Sequence, residues 1–205
     1  MGRTLRTNDF WDAASHNPSK IFSICSLLRS YDAFVPELTR TPDPESDSMD
    51  TLTEARIQEL RKVLGRVGEE VYVEPPFFID YGCNISLGDR FYSNFNFTVL
   101  DCGLVTIGDR VLLGPNVSIY AATHETEVQS RRDNVEFTKP VTIGDDCWIG
   151  GGTIILPGVE IGQGTTIAAG SVVTKSIPAW SVAMGSPAKV VKKVTPLEAH
   201  NGTAS

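Results

Sequence analysis

One histidine stands out among the side chains of this chain that could move a proton. The 205-residue sequence has three histidines, and His124 begins a polar segment, HETEVQSRRDNVEFTKP, between stretches rich in β-branched residues. An imidazole changes protonation near neutral pH and can therefore act as a general base or acid. Loops that project from a rigid scaffold often carry catalytic groups. A lone histidine is more commonly an ordinary surface residue, so residue type alone leaves both interpretations open.

Short polar side chains that can bind hydroxyl groups precede this segment. Asp80 in FIDYG, and Tyr92 and Asn94 in FYSNFN, carry a carboxylate, a phenol and an amide. Such groups can hydrogen-bond the hydroxyls of a substrate and select which one reaches a base. The alternative for an asparagine is a corner position with left-handed backbone. We favour that alternative for Asn96, while residue type alone leaves both interpretations open for Asn94.

The overall charge and the cysteines argue against several functional classes. A formal net charge of −7, from 18 basic and 25 acidic residues, disfavours a general nucleic-acid surface. No run approaches the roughly 18 apolar residues that cross a bilayer, and no apolar signal core is visible near the start. We therefore expect a cytoplasmic protein without a membrane or nucleic-acid partner. The four cysteines form no CxxC pair, which favours free thiols over disulfides or a metal site.

A local basic cluster is the exception in this acidic chain. Lys189, Lys192 and Lys193 lie close together towards the C-terminal end. Lysine ammonium groups attract anionic phosphates, so this cluster is a candidate contact for a phosphorylated ligand. A solvated terminal strand explains the same three residues equally well.

A strict period of six residues predicts the scaffold that would position these side chains. Between residues 143 and 178 each unit opens with an aliphatic residue: Ile143, Ile149, Ile155, Ile161, Ile167 and Val173. This period fits neither a helix nor a flat strand, but it fits a prism-shaped β-solenoid with one unit per side and three units per coil. The opening residues are predicted to point inward and stack. The small residue two before the end of each unit, or the glycine after the opener, is predicted to turn the corner.

The chain is predicted to have three parts. Residues 1–70 form a small helical domain, with one helix from Asn8 to about Phe34 and a second that ends at Gly65. Residues 71–190 form the solenoid, whose early coils have a looser phase and whose middle is interrupted by the polar loop. Residues 191–205 form a C-terminal tail, beginning at the end of a short edge strand.

The chain resembles the maltose and galactoside O-acetyltransferases of the hexapeptide-repeat superfamily in four segments: DYGCNISLGDRFYSNFNFTVLDC, IGDRVLLGPNVSIYAATH, IGDDCWIGGGTIILPGVEIG and AAGSVVTKSIPAWSVAMGSPAKVV. The region from Phe10 to Gly68 resembles the N-terminal acetyltransferase-associated domain of that family. The resemblance implies a mainly β fold, a left-handed parallel β-helix with a small N-terminal α-helical domain. It also implies a homotrimer that uses acetyl-CoA, requires no metal and shares its active sites between adjacent subunits.

The same resemblance assigns roles on the acceptor side. His124, in the family's motif of NV followed by TH, would be the base that activates an acceptor hydroxyl for direct attack. Acceptor contacts are implied at five positions: Asp80, Tyr92, Asn94, Asp101 and Cys102. Galactoside acetyltransferases carry two consecutive acids at the last two positions, so Cys102 removes a charge-assisted hydrogen-bond acceptor. We expect this departure to shift specificity towards another sugar or a less polar alcohol, unless Cys102 simply packs.

Donor contacts are implied at eight positions: Gly114, Trp148, Gly151, Ala169, Thr174, Lys175, Lys189 and Lys192. Gly151 would offer its backbone N–H to the thioester carbonyl, which suits a developing oxyanion. The repeat itself can explain Ala169, and a groove between subunits can explain Trp148. Cys147 lies inside a regular unit and is predicted to be packing.

Other functions on the same fold remain alternatives. The acceptor could be an antibiotic, an amino sugar or serine, although the helical domain and the NFNFTVLD element favour a sugar. A non-catalytic scaffold subunit is disfavoured by the combination of His124, Asn94, Trp148 and Lys175. A carbonic anhydrase on this prism would need three zinc-binding histidines, and the solenoid region has one.

Overall fold

The computed structural model describes residues 49–196. The first predicted helix, His16, Cys25, His200 and the end of the predicted tail lie outside this part. The described chain begins with helix α1 (Met49–Val63), which matches the second predicted helix. Leu60 and Leu64 are buried against the first strands, so this helix covers one end of the core.

Strands follow α1 in successive coils of three. Coil 1 contains β1 (Arg66–Val67), β2 (Tyr72–Val73) and β3 (Phe77–Ile79); coil 2 contains β4 (Ile85–Leu87), β5 (Tyr92–Ser93) and β6 (Phe97–Leu100); coil 3 contains β7 (Val105–Ile107), β8 (Leu112–Leu113) and β9 (Ser118–Tyr120). An excursion at residues 121–140 then contains β10 (Ala122–Thr123), α2 (Val128–Arg132) and β11 (Phe137–Thr138).

The coils resume after the excursion. Coil 4 contains β12 (Val141–Ile143), β13 (Trp148–Ile149) and β14 (Ile154–Ile155), and coil 5 contains β15 (Glu160–Ile161), β16 (Thr166–Ile167) and β17 (Val172–Val173). The last strands are β18 (Ser181–Met184) and β19 (Lys189–Lys193).

Each coil contributes one strand to each of three sheets, and the strands within a sheet pair in parallel. Sheet A contains β1, β4, β7, β12 and β15; sheet B contains β2, β5, β8, β13, β16 and β18; sheet C contains β3, β6, β9, β14 and β17. Strand β19 pairs antiparallel with β18 and ends sheet B. This arrangement confirms the predicted β-helix. The solenoid begins at β1, before the predicted boundary at residue 71, because a two-residue strand is too short to show a period.

The hexapeptide pattern produces both the core and the corners. The six predicted openers are at most 1% exposed, and they stack in register, as Ile143 does on Ile107 and Ile161. The fourth residue of five successive units has left-handed backbone, with φ between 58° and 81°: Asp146, Gly152, Gly158, Gly164 and Gly170. At Gly164 an added Cβ would lie 2.2 Å from Trp180 Cε3, so this corner excludes a side chain.

The looser phase of the early coils comes from one edge of the prism. We call the edges AB, BC and CA after the sheets they join. Ser93 and Val99 are six positions apart across edge BC, but Val99 and Ile107 are eight apart across edge CA. Thus Val105 pairs with Ile85, twenty positions earlier, whereas Ile161 pairs with Ile143, eighteen positions earlier. The excursion at 121–140 leaves from the same edge CA.

Edge AB is closed by a ladder of aspartates. Asp89, Asp109 and Asp145 each accept, through Oδ1, the backbone N–H of the equivalent residue in the preceding coil, at 2.8–3.0 Å. Beside this aspartate ladder, Arg110 donates to both carboxylate oxygens of Asp146, at 2.5 and 3.0 Å. The ion pair joins coil 3 to coil 4 directly, bypassing the excursion that separates them in sequence.

We expect Arg110→Met to lower the free energy of unfolding by about 1 kcal/mol at neutral pH, because the pair is bidentate but partly exposed. Arg110 lowers the pKa of Asp146 below its ordinary 3.8. The stabilisation is therefore present above that pH and is lost as the pH falls through the lowered value. Chemical denaturation at neutral and acid pH measures this effect. The free energies of unfolding of the wild type and of Arg110→Met should become equal in acid. Arg66→Met is the matched control, and an equal effect there would contradict the assignment.

Candidate active site

His124 lies directly after β10, at the start of the segment that joins the two strands of a small hairpin. Strands β10 and β11 pair antiparallel, with Thr123 opposite Phe137. The exposed His124 ring places Nδ1 3.1 Å from the carbonyl oxygen of Val135. A carbonyl oxygen can only accept, so Nδ1 carries the proton of the neutral ring and Nε2 keeps its lone pair. The hairpin thus presents the tautomer that a general base requires.

Helix α2 fixes the segment between the two hairpin strands. Arg131 donates to the carbonyl oxygens of Glu125 and Thr126, at 2.8 and 2.5 Å. At the other end of the helix, Asn134 has left-handed backbone with φ 55°, and the Val135 N–H donates to Ser130 at 3.0 Å. These bonds hold both the residues after His124 and the carbonyl that binds its ring.

Asp101 is buried at edge CA and bonds to the backbone of the coil below. Its Oδ1 accepts the N–H groups of Asp80 and Tyr81, at 3.2 and 2.9 Å, and its Oδ2 accepts that of Asn84 at 3.3 Å. Burial raises the pKa of Asp101, and hydrogen bonds from backbone amides partly offset this effect. A fully buried carboxylate has no free face for a substrate. The geometry therefore favours a positioning role over the predicted direct acceptor contact.

Cys102 lies next to Asp101 and contacts two carboxylates. Its Sγ is 3.6 Å from Oδ2 of the exposed Asp80 and 4.0 Å from Oε1 of Glu136. The structure therefore brings together two of the predicted acceptor residues, Asp80 and Cys102. Glu136 was not predicted from the sequence. A hairpin prediction for the polar segment could have found it, because pairing of Thr123 with Phe137 places Glu136 across from His124. The two strands of this hairpin were not recognised in the sequence.

The outer face of sheet B carries Tyr92 and Trp148. Tyr92 stacks on Tyr72, with ring centroids 6.1 Å apart, and its pKa is raised by burial and then by Glu74 and Tyr72. Trp148 is 57% exposed and lies in the same column of paired positions, next to Leu112. Asn94 follows Tyr92 at edge BC, where its Oδ1 accepts the N–H of Phe95 at 2.8 Å. Neither Tyr92 nor Asn94 shares an edge with Asp80.

In coils 4 and 5, edge BC is lined by glycine and alanine residues. An added Cβ on Gly114 would lie 2.5 Å from the Gly151 nitrogen, and one on Gly150 would lie 2.4 Å from the Ala169 nitrogen. The Gly150 and Gly152 amides donate to backbone carbonyls. Those of Gly151 and Ala169 make no hydrogen bond to any described residue. At edge AB the aspartate ladder satisfies the equivalent amides of coils 1 to 3, but those of Asp145 and Gln163 in coils 4 and 5 also make no hydrogen bond to any described residue. Edge BC differs in that its two stacked free donors belong to a glycine and an alanine, which permit close approach.

The remaining predicted donor contacts lie elsewhere on the prism. Thr174 and Lys175 are exposed at edge CA of coil 5. Lys189 and Lys192 are exposed on β19, while Lys193 donates to Ser181 Oγ at 3.0 Å. One copy of the chain thus distributes the predicted site residues over two edges and the outer face of sheet B.

The described residues contain no group of three or more His, Cys, Asp and Glu side chains that could hold a metal ion. Cys147 is buried, donates to the Gly162 carbonyl at 3.2 Å and has a pKa raised to about 11 by burial. This thiol is a packing residue, as predicted. Within the same residues, no helix has the length and apolar character needed to span a bilayer.

Comparisons with known proteins agree with this fold. The family model described as "Bacterial transferase hexapeptide (six repeats)" matches residues 140–175. The galactoside O-acetyltransferase of Escherichia coli (strain K12) is 42% identical over 147 residues, which cover 72% of each chain.

Two solved structures share the fold over most of the chain. A maltose O-acetyltransferase from Clostridium difficile 630 is 40% identical, with a TM-score of 0.72 and coverage of 89% of this chain and 91% of that one. A galactoside acetyltransferase in complex with coenzyme A is 34% identical, with a TM-score of 0.72 and coverage of 88% and 84%. The chain therefore belongs to the hexapeptide-repeat acetyltransferase family that includes the galactoside and maltose O-acetyltransferases.

Proposed function

We propose that this acetyltransferase moves the acetyl group of acetyl-CoA to a hydroxyl of a sugar, of the maltose, glucoside or galactoside kind, with His124 as the general base. The observation that carries the proposal is the hydrogen bond from His124 Nδ1 to the Val135 carbonyl, because it leaves Nε2 ready to accept a proton. The homologous galactoside and maltose O-acetyltransferases support the donor and the acceptor class.

The reaction follows from the groups at the two edges. Nε2 of His124 takes the proton of the acceptor hydroxyl while its oxygen attacks the thioester carbonyl carbon. The carbonyl electron pair moves onto oxygen, where the free Gly151 amide is the candidate donor for the oxyanion. When the tetrahedral intermediate collapses, the C–S bond breaks and the thiolate leaves. The imidazolium of His124 then donates its proton to the thiolate, which gives the acetyl ester and the free thiol of CoA.

Edge BC fits an acetyl donor that is extended and contains amide groups, as acetyl-CoA does. The stacked N–H groups of Gly151 and Ala169 can bind successive carbonyl groups of one chain, and the small residues around them permit close approach. Thr174 and Lys175 at coil 5, with the exposed Lys189 and Lys192, are candidate contacts for the distal part of CoA and its anionic phosphates. The galactoside acetyltransferase that was solved in complex with coenzyme A supports coenzyme A as the ligand.

A homotrimer completes the site in this proposal. The acceptor candidates Asp80 and Cys102 and the base lie at edge CA, whereas Gly151 and Ala169 lie at edge BC. Sheet C separates the two edges, and one of its three-residue strands spans about 10 Å. Packing edge CA of one copy against edge BC of another brings the base to the thioester. The exposed Trp148 on sheet B is a candidate lining residue of the resulting groove.

Acceptor-dependent release of thiol from acetyl-CoA tests the function. We expect release with glucosides, galactosides or maltose, and much less with amino sugars, serine or chloramphenicol. Release with only one of the latter three would keep the enzyme class and replace the acceptor. No release with any compound, together with no binding of CoA in calorimetry, would favour a scaffold subunit.

A further inference from the structure

We propose that Glu136 is an acceptor-binding and specificity-determining residue, which supplies from the excursion the carboxylate that Cys102 does not provide. This inference rests on the proposed function, since it names a contact of the same acceptor site. It predicts that the acceptor is a polyhydroxylated molecule, and so favours another sugar over a less polar alcohol, the two alternatives that Cys102 left open.

The first observation is that one sulfur atom contacts two carboxylates. Cys102 Sγ lies 3.6 Å from Asp80 Oδ2 and 4.0 Å from Glu136 Oε1. Asp80 comes from edge CA between coils 1 and 2, and Glu136 comes from the excursion after coil 3. The two acidic groups therefore face the same small space from different segments. Position 102 itself carries a thiol, so the acidic groups of this space come from positions 80 and 136.

The second observation is the link between Glu136 and the base. The Val135 carbonyl binds the His124 ring, and Glu136 is the next residue in the chain. Thr123 pairs with Phe137 in the hairpin, so His124 and Glu136 are the first and last residues of the segment that joins its strands. Glu136 is half-buried, whereas Glu125 and Glu127 in the same excursion are exposed. Among these three glutamates, Glu136 is thus the one turned towards the site.

The chemistry of the pair selects the acceptor. Ionised carboxylates only accept hydrogen bonds, so a ligand between Asp80 and Glu136 must present donors to both. A sugar with hydroxyls on neighbouring carbons does so, and the remaining hydroxyl can point at Nε2 of His124. A simple alcohol would leave at least one carboxylate without a partner, which weakens its binding.

Glu136→Gln is the direct test, because it keeps the size of the side chain and removes its charge. Steady-state thiol release should show kcat/KM for the sugar acceptor reduced about 10- to 100-fold, the range expected for one charge-assisted hydrogen bond. The KM for acetyl-CoA should not change. Glu127→Gln, the same exchange on an exposed residue of the excursion, is the matched control and should keep wild-type kinetics.

A second variant tests whether the carboxylate has moved between positions. Adding Cys102→Asp to Glu136→Gln should recover at least tenfold of the lost kcat/KM, because it returns an acid to the same space. Wild-type acceptor kinetics in Glu136→Gln, or no recovery in a folded double variant, would overturn the inference while leaving the proposed function in place. A wild-type protein that is inactive with every acceptor would overturn both.

Discussion

His124→Ala should lower kcat for acetyl transfer about 10²- to 10⁴-fold, the contribution that a positioned general base makes. The loss follows from chemistry and not from folding, since the ring is exposed and makes one described hydrogen bond, to Val135. Thiol release from acetyl-CoA at saturating acceptor measures the effect. The melting temperature and the affinity for CoA should stay close to those of the wild type.

The control for the base is His124→Gln. A glutamine amide can still donate to the Val135 carbonyl, but it cannot take a proton from the acceptor, so it separates anchoring of the hairpin from catalysis. Both variants should be inactive if proton transfer is the role of the ring. Recovery of activity in the glutamine variant alone would show that His124 only holds the hairpin. Near-normal activity in both would remove it from the mechanism.

Asp101→Ala is expected to lower the free energy of unfolding by about 2–4 kcal/mol, because it leaves several backbone donors without their shared acceptor. The carboxylate bonds to the amides of Asp80, Tyr81 and Asn84, which form the corner between coils 1 and 2. Denaturant unfolding measures the loss. At a temperature where the variant is folded, the KM for acceptor should rise, since Asp80 depends on this corner for its position.

Asp101→Asn is the informative companion. Its Oδ1 can still accept from Asp80 and Tyr81, but an amide group in place of Oδ2 would face the N–H of Asn84, donor against donor. It also removes the buried charge whose cost is visible in the raised pKa of Asp101. We therefore expect a destabilisation smaller than that of the alanine variant. Wild-type stability in Asp101→Ala would show that water replaces the carboxylate at no cost.

The parts of the fold that repeat were predictable, and the parts that interrupt the repeat were not. A six-residue period determined the buried openers from Ile143 to Val173, because each one must stack on its counterparts in adjacent coils. The same pattern gave two candidate positions for the corner, and the left-handed backbone lies at the fourth position of the unit. The period could not define the strands of the early coils. Two additional residues at edge CA shift the phase there, and no residue type in the sequence marks them.

The candidate site divides in a similar way. His124 could be identified from its type, its polar segment and the family motif, but its tautomer needed the Val135 carbonyl, which lies eleven residues along the chain. Asp101 could be located but not interpreted, because burial and three amide partners are tertiary properties. Glu136 could not be identified for the same reason. It contacts Cys102, which is distant in sequence, and the fold of the excursion brings the two side chains together.

The unequal edges of the prism have a consequence for how such enzymes diversify. Edge BC keeps a constant six-residue interval, and neighbouring coils place its free amides about 4.8 Å apart, a spacing fixed by strand pairing. Edge CA varies from coil to coil: Val105 pairs with Ile85, twenty positions earlier, whereas Val141 pairs with Val105, thirty-six positions earlier. Insertions can therefore accumulate on one edge without altering the other. If the edges have the roles proposed above, a lineage can change its acceptor while the spacing of the amides that bind the acetyl donor stays constant.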